Sequence, residues 1–135
     1  MTKEQFSWIV RISEQIQLFG FLPPVADWIG CQFALESAFG KSRIAKVKNN
    51  LCGMKVPSVR PSLNVGVSGF ATYESIQHCI IDYVLLLSYN HFGYVQLSNL
   101  DCFLAKLQAC HYCDDDGYYD SISKLYNQFK NYPNE

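Results

Sequence analysis

Apolar residues recur every three or four positions along most of this chain, and that spacing constrains its fold more than any other feature. Residues spaced in this way lie on one face of an α-helix, whereas a strand would alternate at every second position. The clearest such face is formed by Ile76, Ile80, Tyr83, Val84 and Leu87. The chain is therefore predicted to be mostly helical.

Further helices are predicted from the same period and from residues that favour helix ends. Pro23 and Pro24 suit a first helical turn, because the amide hydrogens that they lack would have no partner there. That helix places Glu36 at its C-terminal end. The other predicted helices are a first one that Gly20 ends, a short basic one over residues 41–48, one from Asn99 or Ser98 through Cys110, and a last one from Asp116 or Gly117.

One segment between the helices loses the helical period. Residues 51–56 and 70–73 flank a stretch that is rich in Pro, Ser and Gly. Short runs separated by turn residues are typical of a small, irregular β-hairpin. The sequence thus predicts an α+β fold, mostly helical with one small β-hairpin, and its length predicts a single domain over residues 1–135.

Charge is unevenly distributed along the chain. A net charge of −1 from 11 basic and 12 acidic residues excludes a strongly cationic module that binds nucleic acid by neutralising many phosphates. From Ser37 to Tyr73, however, there is no Asp or Glu. Six cations lie there: Lys41, Arg43, Lys46, Lys48, Lys55 and Arg60. This basic middle segment suits an anionic partner.

The six cysteines do not bracket short loops as they do in small disulfide-rich domains. Cys31, Cys52, Cys79 and Cys102 lie within apolar runs, so we expect reduced, buried thiols. The remaining two cysteines, Cys110 and Cys113, have His111 between them. A zinc site needs four ligands, and the sequence has no second ligand pair at a suitable spacing. No metal site and no cofactor are predicted.

Targeting signals are not visible in the sequence. The N-terminus has no apolar core of a secretory signal peptide, and the longest apolar stretch, Ile80 to Leu87, is far shorter than the roughly 20 residues of a membrane span. We expect a monomer that is made in the cytoplasm.

Glu36 is the first candidate for chemistry. It follows an apolar helical run and precedes a turn of small, aromatic and glycine residues. Apolar neighbours such as Trp28, Phe33 and Phe39 would desolvate its charged form, raise its pKa and suit it to donate a proton. On spacing alone, the position is better explained by a solvated glutamate at the end of an amphipathic helix.

Four segments, in order along the chain, add a family resemblance: Glu36-Ser-Ala-Phe-Gly-Lys-Ser42, Asn49-Asn50-Leu-Cys-Gly53-Met-Lys55, Phe70-Ala-Thr-Tyr73-Glu-Ser75 and Tyr112-Cys-Asp-Asp-Asp-Gly-Tyr118. They resemble the Glu-Ser-Gly-Trp-Gly-x-Ser, Asn-Leu-Phe-Gly-Ile-Lys, Phe-x-x-Tyr-x-Ser and Tyr-Ala-Thr-Asp-x-x-Tyr motifs of the glucosaminidase family of bacterial cell-wall hydrolases, family 73 of the glycoside hydrolases. The likeness covers roughly residues 20–130. Ala38, Phe39 and Cys52 depart from the family's Gly, Trp and Phe.

The resemblance implies a lysozyme-like fold, with a glycan-binding groove between a helical lobe and the hairpin. It implies hydrolysis of a β-1,4 bond of peptidoglycan next to N-acetylglucosamine, with Glu36 as the catalytic acid and Tyr112 facing it. The substrate-binding residues that it implies are Phe39, Asn50, Gly53, Lys55, Tyr73 and Tyr118.

A second catalytic carboxylate is missing from the expected place. Glycoside hydrolysis usually uses two carboxylates, and many members of the resembled family draw the second from the hairpin, which here contains no Asp or Glu. Glu74 is the nearest later acid. Alternatively, the substrate's own acetamido oxygen attacks, oriented by Tyr112 or Tyr118, or the C6 hydroxyl of a muramic acid sugar attacks, as in lytic transglycosylases.

Several biological settings fit such an enzyme. A phage lysin, a secretion-system effector and a wall-remodelling subunit would each act on the wall, in the periplasm or outside the cell, after export or lysis by another system. An effector would predict an immunity protein as a partner. The competing hypotheses are a muramidase of the same fold and a catalytically impaired module that binds glycan or protein.

Overall fold

Six helices make up most of the computed structural model, which describes residues 1–90, 92, 99–110 and 112–133. They are α1 (Lys3–Gln17), α2 (Pro23–Ser37), α3 (Arg43–Lys48), α4 (Ile76–Tyr89), α5 (Leu100–Ala109) and α6 (Asp116–Asn131). The prediction of a mostly helical chain is confirmed. Ser98, the alternative start of the fifth helix, lies outside the described residues.

The helices begin where polar side chains can accept the first backbone amides. Thr2 and Gln5 form a reciprocal capping box at the start of α1. Single side chains cap four more helices: Ser42 on α3, Ser75 on α4, Asn99 on α5 and Asp115 on α6. Such a cap stabilises a helix by about 0.5–2 kcal/mol, which explains why the sequence located most of the helix starts to within a residue or two.

The chain divides into two compact units, and the division falls inside α2. The first unit comprises Met1–Leu35 and the described part of Gly93–Glu135. Its core takes apolar side chains from α1, α2, α5 and α6, with Trp28 packing at ring-centroid distances of 5.9 Å from Phe103 and 6.3 Å from Tyr126. Leu35, near the C-terminal end of α2, is 37% exposed.

The second unit is Glu36–Phe92. Its core is formed by α4 and by the turn that follows α3, and the large buried side chains include Leu51, Tyr73, Ile80, Tyr83 and Leu87. Of the five residues whose spacing predicted the apolar face of α4, three are buried (Ile80, Tyr83 and Leu87) and two are half-buried (Ile76 and Val84).

The predicted β-hairpin is not formed as a pair of strands in the part of the chain that the structure describes. One isolated antiparallel bridge joins Lys55 to Phe70, with backbone hydrogen bonds from Val56 to Gly69 (2.9 Å) and from Ala71 to Met54 (2.8 Å). Beyond it, Pro57 and Pro61 cannot donate to a ladder. The Asn64 side chain instead accepts the amides of Gly66 and Thr72, each at 2.9 Å.

A buried ion pair fastens this segment to α4. Both terminal guanidinium nitrogens of Arg60 lie 3.0 Å from oxygens of the Asp82 carboxylate, and the two side chains are 4% and 0% exposed. The Leu63 amide and the Tyr73 hydroxyl donate to the same carboxylate at 3.1 and 2.5 Å. Arg60 therefore does not contribute a solvent-facing cation, as the basic middle segment predicted, because its charge is neutralised inside the unit.

The cysteines are thiols, and their burial differs from one to the next. Cys31, Cys52 and Cys79 are buried, as predicted. The prediction for Cys102 is wrong: it lies exposed in the first turn of α5, because the apolar face of that helix is formed by Phe103, Leu104 and Leu107 instead. None of the helices within the described ranges has the length and apolar character to cross a membrane.

Candidate active site

Glu36 lies at the last turn of α2, half-buried, where the chain reverses sharply. Ala38, Phe39 and Gly40 all have positive φ, at 50°, 56° and 77°. The turn is held by Ser37, which is fully buried: its hydroxyl accepts the Gly40 amide and its carbonyl accepts the Ser42 amide, both at 2.9 Å. The helix is thus ended immediately beyond the Glu36 carboxyl group.

The Glu36 carboxyl group packs directly against the backbone of Gly53. Gly53 has φ +68°, a left-handed conformation that favours glycine. A Cβ atom at this position would clash with Oε2 of Glu36 and lie 3.2 Å from its Cδ. The structure therefore brings together Glu36 and Gly53, two predicted site residues from separate motifs.

Asn50 fixes the turn that holds Gly53 in place. Its amide nitrogen donates to the carbonyls of Met54 (2.8 Å) and Ala71 (2.9 Å), and its oxygen accepts the amides of Cys52 and Met54, each at 3.3 Å. Asn50 is 1% exposed and both of its amide hydrogens are used. In this structure Asn50 supports the turn and is not presented to a sugar acetamido group.

Tyr73 is likewise placed inside the second unit. It is 2% exposed, its hydroxyl donates to Asp82, and burial first of all raises its pKa far above the ordinary value. The ring is therefore packed in the core, where it cannot stack on a sugar face in this structure.

The other predicted residues of the second unit lie nearer the solvent. Phe39 is half-buried in the turn beyond Glu36, and Lys55 is exposed at the bridge to Phe70. Glu74 is exposed immediately before the α4 cap, Ser75.

Tyr112 and Tyr118 belong to the first unit and stack on one another, with ring centroids 6.2 Å apart and an interplanar angle of 12°. The Tyr118 hydroxyl accepts a hydrogen bond of 2.9 Å from Gln32. Gln32 is 0% exposed, so this bond compensates the burial of its amide. The two predicted tyrosines are therefore brought together, and α2 positions the pair.

Sequence reasoning missed Gln32 and the structural importance of Asp82. Each is a polar residue within an apolar helical run, and that interruption was the available signal. Buried polar residues need a partner, but the sequence does not say which one, because Arg60 and Tyr118 are distant along the chain.

A metal centre finds no support in the described ranges, where no group of three or more His, Cys, Asp and Glu side chains could hold an ion. His111, between Cys110 and Cys113, lies outside the described residues.

The sequence model of the glucosaminidase family, described as mannosyl-glycoprotein endo-beta-N-acetylglucosaminidase, matches residues 23–131. The chain belongs to the glucosaminidase family. It is therefore a glycoside hydrolase by descent, and the match extends over all four motifs that include Glu36, Gly53, Tyr73 and Tyr112.

Two solved structures share the fold of this glucosaminidase-family chain. One comes from a type VI secretion system effector-immunity complex of Pseudomonas protegens, with 19% identity, a TM-score of 0.69 and coverage of 96% of both chains. The other is the catalytic domain of the autolysin Auto from Listeria monocytogenes, with 20% identity, a TM-score of 0.65, and coverage of 96% of this chain and 86% of that one. No curated protein is similar enough in sequence to be matched.

Proposed function

We propose that this chain is a peptidoglycan hydrolase that cleaves β-1,4 glycosidic bonds of the glycan strand, as an endo-β-N-acetylglucosaminidase with Glu36 as its general acid. Membership of the glucosaminidase family supports the reaction class. The autolysin and effector folds are consistent with a substrate in the bacterial wall. The observation that supports the acid is the placement of Glu36 at a helix end, half-buried and in contact with Gly53.

Contact with Gly53 gives the carboxyl group a defined position. A side chain at residue 53 would displace it, whereas the glycine lets the backbone pack beneath it. In the reaction, Glu36 donates its proton to the leaving glycosidic oxygen while positive charge develops on the sugar ring. A partly desolvated carboxyl group, fixed by its neighbours, suits that proton transfer.

We infer that Glu36 is the sole carboxyl group that the reaction requires from the chain. Residues 51–70 contain no Asp or Glu, and Asp82, the buried acid of this unit, is occupied by Arg60 and Tyr73. Attack by the substrate's acetamido oxygen needs one acid and a group that orients the acetamido. Tyr112 stays the predicted orienting residue, supported by Tyr118, and Glu74 is the alternative second acid.

Phe39 and Lys55 are the proposed substrate contacts of the second unit, because both have solvent-accessible surface. Lys55 can pair with a carboxylate of the lactyl or peptide stem, and Phe39 can pack on a sugar face. Lys41, Arg43, Lys46 and Lys48 continue a positive charge that suits the anionic wall polymer. Asn50 and Tyr73 act in this proposal by holding the turn and the segment around it.

Action on the wall places the enzyme in the periplasm or outside the cell. Since one structure of the same fold comes from an effector-immunity complex, we propose an inhibitory immunity protein as the second partner, after peptidoglycan.

Product analysis tests this function. Purified protein is incubated with isolated peptidoglycan, and the released fragments are identified by mass spectrometry. The proposal predicts fragments that end in reducing N-acetylglucosamine. Reducing N-acetylmuramic acid would identify a muramidase, a 1,6-anhydro end would identify a transglycosylase, and binding without release would identify a non-catalytic module.

A further inference from the structure

Two buried cysteines of the second unit lie against one another. Cys52 is in the turn after α3 and Cys79 is in the first turn of α4, and they are 1% and 0% exposed. Their sulfur atoms are 3.6 Å apart. A disulfide bond needs about 2.05 Å, so the sulfur atoms must approach by about 1.5 Å.

The contacts of Cys79 in the folded unit act on the pKa of its thiol. The hydrogen bond with Cys52 lowers the pKa of Cys79, against the opposing effect of burial, and the Leu51 amide also donates to its sulfur at 3.4 Å. Burial raises the pKa of Cys52. Cys31 differs from Cys79, because burial raises the pKa of the Cys31 thiol. The thiolate is the nucleophile of disulfide exchange.

We propose that Cys52 and Cys79 are a disulfide-forming pair that closes when the protein meets a disulfide oxidant, such as oxidised glutathione or a thiol oxidase of an oxidising compartment. While the turn is open or the chain is folding, the thiolate of one of the two cysteines attacks one sulfur atom of the oxidant and releases one thiolate. The thiol of the other cysteine then loses its proton to solvent and attacks the sulfur of the first, which releases the second thiolate. Two cysteine thiols are oxidised to one disulfide, and one disulfide of the oxidant is reduced to two thiols.

The crosslink would fasten the turn next to the candidate acid. Cys52 directly precedes Gly53, which packs under Glu36, and the Asn50 side chain holds the Cys52 amide. Oxidation would tie this turn covalently to α4 and close a loop over residues 52–79. Whether the crosslink forms does not depend on the proposed function. Only the benefit of the crosslink to catalysis rests on the proposed function.

Burial determines how the pair reacts. Neither thiol is accessible in the folded unit, so exchange with the oxidant requires this turn to open, or occurs while the chain folds. Native protein is therefore expected to oxidise slowly, whereas protein refolded with oxidised and reduced glutathione should oxidise quantitatively.

Peptide mapping of refolded, unreduced protein tests the pair. Trypsin isolates Cys52 in a peptide over residues 49–55, and chymotrypsin can cut at Tyr83 and Tyr89 to separate Cys79 from Cys102. The expected result is one linked pair of peptides, lighter by two hydrogens, in most of the molecules. Cys52→Ala should abolish it, and Cys31→Ala, a matched loss of a buried thiol, should leave it intact.

Thermal unfolding supplies a second readout that does not need the variants to fold well. Closing this loop should raise the Tm of wild-type protein by about 10 °C relative to the same sample treated with a reductant. Two results would overturn the proposal: Cys52 and Cys79 alkylated separately in the oxidised sample, or pairing of either with another cysteine. Absence of glycosidase activity would bear on the proposed function and leave this test unaffected.

Discussion

Gly53 satisfies two requirements that other residues do not meet together. Its φ of +68° strains any L-residue with a side chain, and a Cβ would enter the space of the Glu36 carboxyl group. Gly69 has nearly the same φ, +71°, but nothing lies within 4 Å of a Cβ built there. Comparing substitutions at these two glycines therefore separates the effect of backbone strain from the effect of contact with the Glu36 carboxyl group.

Alanine substitution at these glycines should give different outcomes. Gly69→Ala should lower the free energy of unfolding by about 1 kcal/mol through backbone strain and leave the turnover of peptidoglycan unchanged. Gly53→Ala should have the same strain and, because it displaces Glu36, should also reduce kcat about 100-fold. Denaturant unfolding and a turnover assay measure both effects. Equal activity of the two variants would mean that the Gly53 contact does not position the acid.

Ala38 is a position where this chain has a strained residue in place of the family's glycine. Its φ is 50°, next to the equally left-handed Phe39. The left-handed conformation costs an alanine about 1–2 kcal/mol, partly offset by the greater flexibility of glycine in the unfolded state. Ala38→Gly should therefore raise the free energy of unfolding by about 0.5–1 kcal/mol in denaturant titrations, and a decrease would contradict the strain.

At the scale of elements, hydrogen bonds from and to side chains hold the segment over residues 56–69 in place. A β-hairpin would use backbone hydrogen bonds between two strands instead. Arg60 and Leu63 donate to Asp82 of α4, and Asn64 organises the loop. The helices were predictable because their caps and their apolar period are local signals. The ion pair was not, because it joins residues 22 positions apart and the charge pattern assigned Arg60 to the solvent.

Removing one partner of this pair should be costly. Arg60→Ala leaves the fully buried Asp82 carboxylate without its counter-charge, so the free energy of unfolding should fall by about 3–5 kcal/mol. Lys124→Ala is the control, because Lys124 forms an exposed i,i+4 pair with Asp120, worth less than about 0.5 kcal/mol. Similar losses for both variants would show that Arg60 contributes no more than a surface charge.

The same pair should make stability depend on pH. Burial opposes ionisation of Asp82, but the hydrogen bonds from Arg60 and Tyr73 outweigh it and hold its pKa below the ordinary value of 3.8. The folded state therefore gains stability above that value and loses it as the pH falls toward the lower folded-state pKa. In the double variant Arg60→Met, Asp82→Asn, this part of the acid-induced loss should disappear. An unchanged slope of unfolding free energy against pH would contradict the shift.

At the scale of the whole molecule, the sequence predicted the family. It did not predict which residues of each motif contact the acid and which are buried as structural supports. The order of the four motifs identified the family because it extends over nearly the entire chain. It could not distinguish Gly53, which contacts Glu36, from Asn50 and Tyr73, which the structure buries as supports. Residues of one motif share a neighbourhood in sequence, but only side-chain packing decides which of them are presented to solvent.

The two compact units hold different parts of the predicted site. Glu36, Gly53 and Lys55 belong to the second, and the stacked Tyr112 and Tyr118 belong to the first. Tyr112→Phe removes the hydroxyl while keeping the ring. If Tyr112 orients the acetamido group, kcat on peptidoglycan should fall at least about tenfold with the Tm unchanged. A fall in Tm with kcat retained would indicate a purely structural tyrosine.

Turnover of peptidoglycan by Glu36→Gln and Glu74→Gln tests the central claim, that one glutamate supplies the acid, most directly. Glutamine keeps the shape of the side chain but has no acidic proton to transfer to the leaving oxygen. We predict that Glu36→Gln lowers the rate of muropeptide release at least about 100-fold with its Tm retained, and that the exposed Glu74→Gln stays near the wild-type rate. Undiminished release by a folded Glu36→Gln protein would contradict the account.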